Sequence, residues 1–272
     1  MLKHIISLGA GVQSSTMALM AAKGQISPMP DAAIFADTGW EPATVYKWLQ
    51  FLEQELPFPV YRVQHKQGLK NSQWQKNVAF RGKTKNKTVP IHVPVFTQHR
   101  KTHKIGIVQR QCTSDYKILP VVKKTKELIG LQKGKRLPKE PQVVTWIGIS
   151  KDEIVRMKPS RYKFIQHRFP LIEQNFTRLH CLEWMKKYNF PEPPRSSCII
   201  CPFHSDKEWQ NLSQQEFAEA CEFDEFIREK GGMEGTLHLH RSGTPLRTVD
   251  LADPHENQLN LFNNECEGMC GV

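Results

Sequence analysis

The chain has 272 residues, 39% hydrophobic and 24% charged, enough for one large domain or a domain with an extension; a small stapled scaffold and a disordered segment are excluded. No apolar run approaches the roughly 18 residues of a spanning helix, and the N-terminus runs from a short apolar stretch into a glycine turn instead of a cleavage site, so a cytoplasmic protein with no membrane partner is expected. The net charge of +11 is uneven: Lys66 to Lys139 hold 19 Lys or Arg against Asp115 and Glu127 (+17), the rest holds 19 basic against 25 acidic residues (−6), and such segregation favours a polyanionic partner.

Lys3 to Leu8 predicts a short strand, Gly9 to Gln13 a tight turn, and Ser14 to Lys23 a helix whose start is marked by Ser14 and Ser15. Ala32 to Ala36 predicts a second strand. Glu41 to Glu55 follows as a helix with Val45, Trp48, Leu49 and Leu52 on one face, and Val60 to Val63 as a third strand. Strands alternating with helices of this length pair in parallel. Lys66 to Arg110 breaks the rhythm with Gly, Lys and Asn clusters and reads as a basic insertion or flap; Trp74, Phe80, Phe96 and several His residues are stacking candidates for a nucleic acid, tRNA or DNA, while a solvated loop has the same composition. Asp115 to Ile129 predicts a helix and Val143 to Ile149 a strand. Ser150 and Glu153 form a capping-box pattern that opens another helix. Glu173 to Tyr188 and Gln214 to Lys230 read as helices, with PEPPR at Pro191 to Arg195 as a rigid linker. The expected fold is a Rossmann-like, three-layer α/β/α domain over residues 1–165 with a mostly parallel sheet. A small helical, cysteine-bearing extension covers residues 166–272.

The strongest local signal is strand, SLGAGVQSS, helix. A glycine turn at the carboxyl end of a first parallel strand presents free backbone N–H groups and the positive helix end to an anion, which suits a phosphate. It matches neither the dinucleotide fingerprint nor the Walker pattern, and an ordinary strand-to-helix turn can carry the same residues.

SLGAGVQSS followed by FADTGWEPATVYKWL resembles the PP-loop adenine nucleotide α-hydrolase superfamily, in its branch of phosphoadenosine-phosphosulfate (PAPS) reductases and sulfurtransferases, among them the DNA phosphorothioation sulfurtransferase. The resemblance implies that ATP or PAPS binds through Ser7, Gly9, Gly11, Gln13, Ser14 and Ser15, with Asp37, Thr38 and Gly39 as the second motif and magnesium as a further candidate. Gly9 stands where the family often has Ser, and Gln13 where it often has Asp. WIGISKDEIVRMKPSRY is similar to the family's Gly-Ile-Arg-x-x-Glu-Ser-x-x-Arg segment and aligns Gly148, Glu153 and Arg156. Arg156 is then a candidate catalytic contact to phosphate or sulfate, or the partner of Glu153 in an i to i+3 ion pair.

Cys112 lies in RQCTSDYKILP, and Cys198 and Cys201 form a C-x-x-C. The arrangement resembles that of adenylylsulfate reductases, whose four thiolates hold a [4Fe-4S] cluster; here Gln111 replaces one of the first pair. Three soft thiolates suit an iron–sulfur cluster with an open iron, and His204 offers the alternative of a Cys₃His zinc site. Cys181 and Cys221 read as buried apolar residues. The C-terminal Glu265-Cys266 resembles the segment that carries the PAPS reductase nucleophile, and Cys270 adds a second thiol. Leu237 to Arg241, with two His and an Arg, is either an anion site or a surface strand. Together the motifs imply a PP-loop enzyme that activates a nucleic acid with an adenine nucleotide for sulfur transfer from a sulfur donor. A reductase of PAPS or adenylylsulfate using a thiol reductant is the alternative, and a nucleic-acid-binding module with structural zinc a third.

Overall fold

The strand β1, Lys3–Leu8, carries apolar residues on both of its faces and is buried from Ile5 onward, as a central strand covered on both sides requires. The computed structural model, which describes residues 2–73, 93–108, 110–132, 134–228 and 235–251, places it at the centre of a five-stranded parallel sheet. The chain leaves β1 through α1 (Val12–Ala22) to β2 (Ala32–Asp37), then through α2 (Ala43–Glu55) to the edge strand β3 (Val60–Gln64). A short α3 (Leu69–Gln73), a hairpin of β4 (Phe96–His99) and β5 (Ile105–Ile107), and a π-helical turn (Thr113–Ile118) that runs into α4 (Leu119–Leu128) come next. The chain then returns on the other side of β1 with β6 (Val143–Ile147) and β7 (Ile165–Arg168), which gives the order β3-β2-β1-β6-β7. Beyond the sheet lie α5 (Pro170–Glu173), α6 (Arg178–Lys187), α7 (Asp206–Gln210), α8 (Gln214–Ile227) and β8 (Gly235–His238).

Period-two alternation sends Ile6 and Leu8 of β1, with Val144 and Trp146 of β6, into a core shared with α1, α2 and α6; Val45, Trp48, Leu49 and Leu52 of α2 are all buried there. Ile5, Ile34, Val143 and Ile147 enter the opposite core beneath α4. These are the three layers expected. A further core gathers Trp40, Tyr116, Ile199, Ile200, Phe223 and Leu237. Its sheet is β5-β4-β8, antiparallel, with Phe96 opposite His238, so the basic insertion and the C-terminal extension pair strand to strand.

Several element boundaries differ from expectation. The first helix starts at Val12 after an extended Gly11, two residues before Ser14. A helix opens after Ser150 as expected, but Lys151–Arg156 is 3₁₀, the Ser150 hydroxyl makes no cap, Glu153 leaves helical φ/ψ (−109°, 18°), and its carboxylate binds Gln13 and Arg156. The segment read as one helix from Glu173 is two, broken at Asn175, whose φ of +58° no α-helix accommodates. Among the described residues no helix is long and apolar enough to cross a membrane.

Candidate functional site

Because the chain passes outward from β1 to β3 and then crosses back to β6, the order of the sheet reverses between β1 and β6. In parallel α/β sheets the crevice at the carboxyl ends of such strands is where ligands bind. Two sequence-predicted segments meet there. Ala10 takes φ +59° and turns the chain sharply, Gly11 is the helix N-cap, and a glycine there leaves α1 with no side-chain cap on its first turn. The Gly9 N–H donates to Ser14 Oγ at 3.2 Å, and the Ser15 N–H to the Gly11 carbonyl at 3.0 Å. From β6, Gly148 packs so closely that a Cβ on it would lie 2.7 Å from Ser14 Cα and 2.8 Å from Ser14 N. Only a glycine lets the β6 loop approach the first turn of α1 this closely. The arrangement can hold an anion on backbone N–H groups at the positive end of α1.

The side chains of the loop divide their work. Ser15 Oγ accepts the Trp48 indole N–H at 2.9 Å and so ties α1 to α2. Ser7 Oγ, on β1, and Ser150 Oγ, beyond β6, are buried and have no hydrogen-bond partner among the described residues. Gln13 is buried, donates through Nε2 to Glu153 Oε2 (3.2 Å) and accepts from Arg178 Nη1 (3.0 Å). An Asp at this position could not donate to Glu153, so Gln is the residue that this acidic neighbour requires. Arg156 pairs with Glu153 at 2.5 Å, the ion-pair alternative for that residue. Arg178 opens α6 and was not singled out in the sequence; no local pattern connects it to Gln13, 165 residues away.

Asp37-Thr38-Gly39 ends β2. Asp37 Oδ1 accepts the Gly39 N–H (2.7 Å) and the Tyr46 hydroxyl (2.8 Å), which makes it a turn-former. Burial, with the Asp37 hydrogen bond, raises the Tyr46 pKa and keeps the phenol protonated. Gly39 has φ +74°, and a Cβ there would collide with the Gln64 amide. Thr38 Oγ1 donates to Glu41 Oε1 at 2.9 Å and accepts the Trp40 N–H at 3.3 Å.

That second motif carries the C-x-x-C loop. The Ile199 N–H donates to the Trp40 carbonyl (2.8 Å), the Cys201 N–H to the Cys198 carbonyl (2.9 Å), and the Cys198 thiol to Thr38 Oγ1 (3.3 Å). Glu41 Oε1 lies 3.6 Å from the Cys198 sulfur and 4.0 Å from Lys117 Nζ; both of these charged side chains are buried, and Glu41 Oε2 has no partner. Burial and then the Glu41 charge push the Cys198 thiol well up, against an opposing pull from Lys117. Lys117 therefore belongs to the interior, not to the basic surface in which its sequence position places it. Cys112 precedes the π-helical turn, and Cys112 and Cys198 border the same apolar core. His204 shares Nε2 with Ser197 Oγ (2.8 Å), and burial, then Arg195, lowers its pKa to about 3. The donor chemistry suits iron or zinc, but the geometry does not fit either as it stands. Among the described residues no three His, Cys, Asp or Glu side chains converge at metal-binding spacing, and the Cys198 sulfur is engaged by Thr38. Cys181 and Cys221 are buried, as expected. Cys266 and Cys270 lie outside the described residues, as do Trp74 and Phe80.

His240 and Arg241 both engage Asp206, at 2.9 and 2.8 Å, which satisfies them internally. A cavity of about 550 Å³ between His4, Val144, Gln166, Arg168 and Ile172 shares no residue with the predicted site. Sequence reasoning missed Glu41, Lys117, Tyr46 and Arg178. Glu41 and Tyr46 lie in the quoted FADTGWEPATVYKWL and Lys117 in RQCTSDYKILP, whereas Arg178 lies in no quoted motif. No protein-family model matches the chain, and no curated protein matches it.

Proposed function

We propose that this is a PP-loop enzyme of sulfur metabolism that uses an adenine nucleotide, held by its phosphates on Gly9 to Ser15, to activate a nucleic-acid oxygen for sulfur transfer. The observation that carries it is the glycine-capped first turn of α1 at the switch point of a parallel sheet, with Gly148 packed against Ser14. The first-turn N–H groups bind phosphate and stabilise charge that grows on a departing pyrophosphate. The acceptor oxygen attacks the α-phosphorus, pyrophosphate leaves, and a sulfur nucleophile then displaces AMP. Docking of the Cys198 loop on the Thr38 turn brings a thiol next to the nucleotide motif, which supports sulfur chemistry at this rim. Because Cys112, Cys198, Cys201 and His204 do not converge at metal-binding spacing, no step is routed through a cluster or zinc, and metal analysis of anaerobically purified protein tests whether these residues carry either.

Glu265-Cys266 favours a second reading, in which the loop holds PAPS or adenylylsulfate, the Cys266 thiolate attacks its sulfur and expels the adenosine phosphate, and a thiol reductant then releases sulfite from the Cys266 S-sulfonate with formation of a disulfide. Incubation with labelled ATP separates the two. Release of pyrophosphate that depends on added tRNA or DNA, followed by AMP when a sulfide source is supplied, supports the first; inertness toward ATP, with sulfite release from PAPS in the presence of a thiol reductant that Cys266→Ser abolishes, supports the second.

A further inference from the structure

The β4–β5 hairpin is left unused by both the glycine loop and the cysteines. Every residue from Arg100 to Ile107 is exposed, and the tip presents Arg100, Lys101, His103 and Lys104. Its shape is fixed from within. The His99 N–H donates to the Lys104 carbonyl (3.0 Å) and the His103 N–H to the His99 carbonyl (2.9 Å), with His103 at φ +53°. The His99 ring then accepts two backbone amides on Nδ1, from Lys101 at 3.3 Å and Thr102 at 3.1 Å. A tip pinned this way has a backbone with less freedom left to lose when it binds. At its base, β4 pairs with β8, and Ile105 packs where a Cβ on Gly243 would come within 2.7 Å.

No Asp or Glu occurs between Glu55 and Asp115, whereas 12 Lys or Arg do. Lys101 and Lys104 make no ion pair among the described residues. Beside the tip, β5 is the outer strand of its sheet, and Ile105 and Ile107, on one face of it, are 43% and 50% exposed. Two exposed isoleucines adjoining a cationic tip suit a partner that is polyanionic and also offers apolar groups.

We propose that this hairpin docks on duplex DNA, its tip cations on phosphates and its isoleucines against base edges in the major groove. The proposal rests on the nucleic-acid reading above and narrows it to one partner and one element. Single strands are held by aromatic stacking, and the exposed apolar side chains here are aliphatic. Duplex RNA has a major groove too deep and narrow for side chains to read. The B-DNA major groove is about 12 Å wide, admits paired strands about 4.8 Å apart, and displays the thymine methyl to apolar side chains.

The test is a salt titration of binding to a duplex of defined sequence, to the same duplex with deoxyuridine for thymidine, and to tRNA. Wild type, Lys101→Gln/Lys104→Gln and Ile107→Ser are compared, with ATP binding measured on each. All three replaced side chains are exposed, and circular dichroism checks that the fold is kept. Wild type is expected to bind the duplex more tightly than tRNA. The double variant should flatten the log affinity against log salt slope by about 1.8, at roughly 0.9 per phosphate contact. Removing a contacted thymine methyl should weaken wild type about fourfold, and Ile107→Ser less. An unchanged slope in the double variant, equal binding of tRNA, or indifference to the thymine methyl in wild type overturns the proposal. A wild type that binds DNA through the hairpin but does not bind ATP refutes the nucleotide reading and leaves the docking proposal standing.

Discussion

Replacing Gly148 by Ala tests how tightly the β6 loop is packed against α1. The added Cβ would lie 2.7 Å from Ser14 Cα and 2.8 Å from Ser14 N, about 1 Å inside an ordinary carbon contact, and both of these atoms are backbone. No side chain can swing away, so the loop or the first turn of α1 must shift. Overpacking of this kind costs about 1–3 kcal/mol, a fall in Tm of several degrees for a chain of this size. The atoms displaced belong to the turn that would hold phosphate, so ATP affinity should drop about tenfold or more, equivalent to 1.4 kcal/mol. Gly24→Ala is the control: Gly24 has φ +71° with nothing within 4 Å, so alanine there costs roughly 1–2 kcal/mol of stability through backbone strain alone and leaves ATP binding unchanged. Thermal unfolding and calorimetric titration of both variants read the two effects separately. A Gly148→Ala protein with wild-type Tm and wild-type ATP affinity would refute the close approach of β6 to α1.

Gln13→Glu should convert a donated hydrogen bond to Glu153 into an acid–acid contact and destabilise by about 1–3 kcal/mol; Glu153→Gln in the same chain should restore most of that, which a double-mutant cycle measures. Glu41→Gln removes the carboxylate beside Cys198, so the thiol pKa should fall and alkylation by iodoacetamide should begin at lower pH than in wild type. For His204, the unfolded chain takes up a proton below its ordinary pKa of 6.5, whereas the folded chain does so only near 3. Protons in that window favour unfolding, so stability should decline by up to about 1.4 kcal/mol per pH unit as pH falls below 6.5. His204→Gln should flatten that decline in Tm measured between pH 7 and 4.

The first half of the parallel sheet was legible because its signals are local. A five-to-six-residue apolar strand, a glycine turn and the one-sided face of α2 each lie within a dozen residues. The Ser150 and Glu153 pattern marked where a helix opens but not its type: Glu153 leaves helical φ/ψ and its carboxylate binds Gln13 and Arg156. Of the antiparallel sheet only a strand alternative at Leu237 to Arg241 was legible: Phe96 pairs with His238 across about half of the chain, and a four-residue strand has too little periodicity to announce itself. At the site, the sequence identified the glycine loop, the Asp-Thr-Gly turn and the C-x-x-C separately. The meeting of the last two at Thr38 and Cys198, with Glu41 and Lys117 buried beside them, depends on packing that only the folded chain reveals.

Calorimetric titration of ATP into wild type and Gly11→Val tests the central claim most directly. Gly11 is the N-cap of α1, and a β-branched side chain there would crowd the approach of a phosphate to the first-turn N–H groups. Stoichiometric binding to wild type and a loss of tenfold or more in a folded Gly11→Val protein is the predicted result. No adenine nucleotide binding to wild type, or equal affinity in the two proteins, would contradict a phosphate site at the glycine loop.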